Sequence, residues 1–168
     1  MPMLPSETLE TITLLQKEGV DPILYGSQGV SLYIGQFKRF GDADFLVDSP
    51  WLSNEWDRLV SIMAKLGFFL VDEHEHEFQN DEDMRAAFAD TSVLARDGIA
   101  DPLDEAVQIF DINGVRVRTL RAETFKKAYE FSEKDGYRRE LRGKNDRIII
   151  GLIDNYLAKK QGDDSAAS

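Results

Sequence analysis

The stretch Leu24 to Val47, LYGSQGVSLYIGQFKRFGDADFLV, constrains this chain more than any other. An apolar run stops at Gly26-Ser27, and Asp42 and Asp44 then stand one residue apart at the head of a second apolar run. Successive side chains of a strand point to opposite faces, so Asp42 and Asp44 share one side while Ala43 and Phe45 take the other. Two ionised carboxylates held this close repel each other and raise one pKa unless a positive charge neutralises them. A hard dication such as Mg²⁺, bound through one or two carboxylates plus phosphates, suits oxygen-only ligands of this kind. Gly26-Ser27, at the end of one expected strand and the start of an expected helix, offers a phosphate a tight turn, a hydroxyl and N–H groups at the positive end of a helix dipole.

The rest of the chain alternates and then turns helical. Ser6 is placed to cap a helix through about Glu18, with Leu9, Ile12 and Leu15 on one face and Gly19 as the stop. Pro22 to Tyr25 reads as a short buried strand, Gln28 to Phe37 as a helix weakened by Gly29 and Gly35, and Asp42 to Val47 as the next strand. Asn54 to Leu66 carries Leu59, Ile62, Met63 and Leu66 at helical spacing before Gly67. Phe68 to Phe78 reads as one strand, turned at Gln79 to Asp83 into Met84 to Ala89. Val107 to Asp111 and Val115 to Leu120 flank Asn113-Gly114, a strong hairpin signal. Ala122 to Lys134 and Asn145 to Lys160 are expected as two helices separated by the charged segment Asp135 to Lys144. These elements predict an α/β fold over 1–120, a C-terminal helical extension packed on it over 121–160, and a disordered tail over 161–168.

Composition sets the outer bounds. At 168 residues and 42% hydrophobic, the chain can bury a core of its own. It has no cysteine, which rules out disulfides and thiolate metal sites. Met1 to Pro5 lacks the charged and apolar regions of a signal peptide, and no apolar run nears the roughly 20 residues of a membrane span, so a cytoplasmic protein without membrane partners is expected. A formal charge of −11 argues against nonspecific nucleic-acid binding, which needs cationic contacts to phosphate.

Gly26-Ser27 followed by Asp42-Ala43-Asp44-Phe45-Leu46-Val47 resembles the signature of the nucleotidyltransferase superfamily, most of all its small bacterial branch of antibiotic and toxin-like nucleotidyltransferases. Val117-Arg118-Thr119-Leu120, a helix, and Lys144-Asn145-Asp146 are similar to that branch's C-terminal pattern. Ala43 departs from the commoner bulky aliphatic between the aspartates, and the aromatic segment Tyr33 to Phe40 lengthens the gap before them. The resemblance implies a mixed β-sheet with flanking helices and a C-terminal helical pair. It implies transfer of a nucleoside monophosphate from a nucleoside triphosphate to a hydroxyl of an unidentified acceptor, with Asp42 and Asp44 holding Mg²⁺ and Gly26-Ser27 holding phosphates. A third carboxylate on a neighbouring strand is also implied, with Asp90 the first choice, Glu77 its competitor and Asp111 behind them.

Each feature has a plainer reading. An Asp-x-Asp pair outside this context is more often a solvated strand end. Lys38 and Arg39 either steer a triphosphate or solubilise a loop, and Lys144 either meets phosphate or pairs at a helix entry. His74 and His76 share a face of the expected strand but lack a third soft ligand nearby. A nucleotide-binding or partner-binding protein of the same fold, without turnover, is the alternative to an enzyme.

Overall fold

A computed structural model describes residues 3–35, 41–134 and 136–167, with side chains in the last segment described for 146–163. Among these residues the elements run α1 (Ser6–Lys17), β1 (Ile23–Tyr25), α2 (Gly26–Ile34), β2 (Ala43–Val47), α3 (Trp56–Lys65), β3 (Phe69–Asp72), β4 (Glu77–Gln79), β5 (Arg85–Asp90), α4 (Ser92–Arg96), β6 (Val107–Ile112), β7 (Val115–Leu120), α5 (Ala122–Lys134) and α6 (Gly136–Ala167). The strands form one mixed sheet in the order β3-β4-β5-β2-β1-β7-β6. β2 runs antiparallel to β1 and parallel to β5, and β1 runs parallel to β7.

The sheet separates two apolar layers. On one face Leu24, Phe45, Phe78, Phe88 and Val117 pack with Leu9, Ile12 and Leu15 of α1 and with Leu59, Ile62 and Met63 of α3. On the other, Ile23, Leu46 and Leu120 meet Val30 of α2, Phe125 of α5 and Ile149 and Ile153 of α6. The alternation of Phe45 and Leu46 between the two clusters is the period-2 pattern of a strand buried on both sides. Phe125 is fully buried, and burial of a side chain this size contributes about 2–3 kcal/mol. The C-terminal helix pair thus shares its core with the sheet.

Three expected elements differ. Phe68 to Phe78 is a hairpin, β3 turning through residues 73–76 into β4. The apolar run ends at Val71, the Asp72 carboxylate accepts the Glu75 N–H at 3.1 Å, and His76 takes a positive φ of 50°, so the charged run makes a turn. His74 and His76 therefore lie in that turn, and His76 sits edge-on to Trp56 with ring centroids 4.9 Å apart. The charged segment expected as a long break is helical from Gly136 on, where α6 begins. That helix also runs on to Ala167, through the residues expected as a disordered tail. Smaller shifts occur at α1, where Pro5 is the N-cap and Ser6 the first helical residue, and at α2, which already starts at Gly26.

Candidate active site

The β1–α2 turn and the head of β2 meet at one end of the sheet. Antiparallel pairing sets Tyr25 opposite Asp44, so the chain reaches Gly26 beside the second aspartate. Gly26 has φ +64°, and a Cβ built on it would overlap the Asp44 carboxylate and lie 3.2 Å from its Cγ. The half-buried carboxylate therefore occupies space that only glycine leaves open. α2 begins at this point with no side-chain hydrogen bond at its N-cap. Ser27 is half-buried beside Gly41, where an added Cβ would meet its hydroxyl at 3.7 Å.

A buried relay fixes the approach to β2. The Thr8 hydroxyl donates to Gln28 Oε1 at 2.7 Å, and Gln28 Nε2 donates to the Gly41 carbonyl at 2.9 Å. Thr8 and Gln28 are both wholly buried. Gln28 thus ties α1 and α2 to the residue just before Asp42, a role its place inside an expected apolar helix did not disclose.

Strand register places the candidate third carboxylates relative to Asp44. Parallel partners point to the same face, and β2 pairs with β5 as Asp44↔Ala87, Phe45↔Phe88 and Val47↔Asp90. Phe45 and Phe88 stack at 5.4 Å, and Val47 belongs to the same core layer as both. Asp90 consequently lies on the face opposite Asp44 and about 10 Å further along the strand. Its carboxylate accepts the Ser92 N–H at 2.9 Å at the start of α4. Asp90, the sequence-based first choice, therefore does not share the face of Asp44 in this register. Asp111 stands on the edge strand β6 and accepts the Gly114 N–H at 3.0 Å.

Glu77 is on the face of Asp44. It pairs with Ala87, which pairs with Asp44, so the three form a row across β4, β5 and β2, with Glu77 about 10 Å from Asp44 between backbones. The small side chain of Ala87 stands between them. Arg85, two residues earlier on β5, shares this face, and one step beyond the Ala43↔Ala86 pair it comes opposite Asp42. Its Nη1 donates to Glu77 Oε1 at 2.8 Å. That hydrogen bond, then the Glu77 charge, hold the guanidinium above its ordinary pKa against slight desolvation, with Asp42 and Asp83 adding to the field. Arg85 was missed because it is the lone cation of a short alanine-rich strand. The signal available was its opposite charge to Glu77 across the expected hairpin.

Lys38 and Arg39 lie outside the described residues, and Lys144 falls in the part of α6 whose side chains are not described. Asp146, of the Lys144-Asn145-Asp146 pattern, is buried and accepts the Ser132 hydroxyl at 2.9 Å, joining α6 to α5. Among the described residues no three His, Asp or Glu side chains converge on a metal position. The donors at the head of β2 are nonetheless all oxygens, and the site is shaped around a carboxylate, which fits a hard dication completed by phosphate and water. Among the described residues no helix is long and apolar enough to cross a membrane.

No family model matches the chain. It is 28% identical over 136 residues to the uncharacterized protein YnaI of Bacillus subtilis (strain 168), across 81% of this chain and 85% of that protein. Among solved structures it is similar to the lincosamide antibiotic adenylyltransferase LnuA with lincomycin bound, at TM-score 0.63 and 14% identity, covering 93% of this chain and 99% of that one. An antigenic nucleotidyltransferase-like protein from Paracoccidioides brasiliensis matches at TM-score 0.60 and 17% identity, over 88% of this chain and 74% of that one. The antibiotic-resistance factor ANT(2'')-Ia matches at TM-score 0.58 and 13% identity, over 96% and 94%. With its glycine-serine turn set against an Asp-x-Asp strand in a mixed sheet flanked by a C-terminal helix pair, the chain has the nucleotidyltransferase fold.

Proposed function

We propose that this protein transfers a nucleoside monophosphate from a nucleoside triphosphate to a hydroxyl of an acceptor, releasing pyrophosphate in a Mg²⁺-dependent reaction. The observation that carries this reading is the packing of the Asp44 carboxylate against Gly26, which joins an acid pair to a helix N-terminus. Asp42 and Asp44 hold the dication. Bound there, Mg²⁺ supplies neutralisation of the charge that develops on phosphate oxygens during in-line displacement. The Ser27 hydroxyl and the N–H groups of the first turn of α2 hold the β and γ phosphates. Lys38, Arg39 and Lys144 add positive charge. Glu77, the acid that shares the face of the pair, takes the role first considered for Asp90 and orients the acceptor hydroxyl or receives its proton.

The C-terminal helices bound the acceptor side of the cleft, and the cytoplasm supplies the triphosphate. Similarity to an adenylyltransferase of lincosamide antibiotics makes small hydroxylated molecules the first acceptors to try. The test is pyrophosphate release from each nucleoside triphosphate with Mg²⁺ and a panel of aminoglycosides, lincosamides, RNA and protein acceptors. Release that requires an acceptor and vanishes in the Asp42→Asn/Asp44→Asn double variant is expected. Tight triphosphate binding with no release for any acceptor would support the binding-protein alternative.

A further inference from the structure

The position beside Asp44 on the neighbouring strand is Ala87, and the charged residue that β5 contributes to this face is Arg85. We propose that Arg85 makes metal entry depend on the nucleotide: it is the tethered counter-charge of the Asp42–Asp44 face in the free protein and a phosphate ligand once a triphosphate arrives. This rests on the reading of that face as a metal-nucleotide site.

Geometry and charge support it. Arg85 reaches diagonally across the β4–β5 hairpin to Glu77 at 2.8 Å and comes opposite Asp42 by register. Its side chain is 46% exposed, against 19% for Glu77, so the guanidinium has room to swing while its partner stays fixed. The face carries Asp42, Asp44, Glu77 and Arg85. A dication arriving alone meets a cation that already offsets part of the acid charge, and this weakens its binding. A triphosphate brings several negative charges, and the planar guanidinium fork matches phosphate oxygens, so Arg85 gains new partners when the metal comes with its nucleotide. Its departure from Glu77 then frees that carboxylate for the acceptor.

The test uses the full chain and two probes. Binding of Mn²⁺ alone is followed by the electron paramagnetic resonance signal of the free ion, and binding of ATP in excess EDTA by calorimetry. Arg85→Gln should bind Mn²⁺ roughly tenfold more tightly and metal-free ATP several-fold more weakly than wild type, with Arg85→Lys intermediate in both. The Mn²⁺ gain should persist in Glu77→Gln/Arg85→Gln. A gain lost in that double variant would assign the effect to Glu77 as a ligand and overturn the proposal. So would unchanged Mn²⁺ affinity in Arg85→Gln when Asp44→Asn abolishes binding, a result that leaves the metal site standing. Unchanged Mn²⁺ binding in Asp44→Asn would remove the metal site itself, and the role of Arg85 with it.

Discussion

The carboxylate of Asp44 fills the space where a side chain at Gly26 would begin. A glycine in the left-handed region and an acid on the adjoining strand are thereby a single device, in which the backbone retreats so that the charge can stand at the start of α2. Gly26→Ala should destabilise the protein by roughly 2–4 kcal/mol, from the left-handed conformation and the displaced carboxylate together, and weaken Mg²⁺-nucleotide binding at least about tenfold. Gly19, at φ +89° with nothing within 4 Å of an added Cβ, is the control: Gly19→Ala should cost only about 1–2 kcal/mol and leave binding intact. Urea denaturation and nucleotide titration separate the two.

Asp42→Asn and Asp44→Asn should each weaken Mg²⁺-nucleotide binding by about tenfold or more while the metal-free proteins stay folded, since the amides keep the shape and remove like-charge repulsion. Calorimetric unfolding of the apo variants beside Mg²⁺-ATP titration checks both halves. Unchanged affinity in the double variant would exclude the pair as the metal site.

Glu77 and Asp90 should behave oppositely. Glu77→Gln is expected to lower acceptor-dependent pyrophosphate release by roughly a hundredfold with triphosphate affinity within a few fold. Asp90→Asn should leave turnover unchanged and cost at most about 1 kcal/mol through its bond to the Ser92 N–H. The reverse ranking would mean that β5 is paired in a different register.

Gln28→Leu should destabilise the fold by about 3 kcal/mol, because the Thr8 hydroxyl and the Gly41 carbonyl both lose a buried partner. It should also weaken triphosphate binding in protein that remains folded, since Gly41 sets the course of Asp42. Thr8→Val with Gln28→Leu should recover part of the stability and none of the binding.

Tyr33 predicts an alkaline limit. Its hydroxyl donates to the Leu120 carbonyl at 2.7 Å, and burial first, then the nearby Tyr156 and Glu123, push its pKa well above the ordinary value for a phenol. The folded state holds this proton at a pH where the unfolded chain releases it, so the contribution is complete below about pH 10 and is lost as pH rises beyond it. Tyr33→Phe should cost about 1 kcal/mol near neutrality and flatten the fall in stability between about pH 10 and 12. Denaturation midpoints across that range for both proteins measure it.

Much of this protein is local and was therefore legible in its sequence. Helical spacing in Ala122 to Lys134 matches α5 at both ends, and Asn113-Gly114 turns β6 into β7 with both residues at positive φ. The alternation Ala43, Asp44, Phe45, Leu46 put Asp44 on the face opposite Phe45 before any neighbour was known, because side-chain direction in a strand needs only the strand. The partners of that face needed the tertiary structure. Whether Asp90 or Ala87 stands beside the acids depends on a register between segments about forty residues apart, set by Phe45 stacking on Phe88, and a slip of one residue exchanges the faces. The Arg85–Glu77 pair and the Thr8–Gln28 hydrogen bond arise the same way, from strand pairing and from a contact crossing between helices.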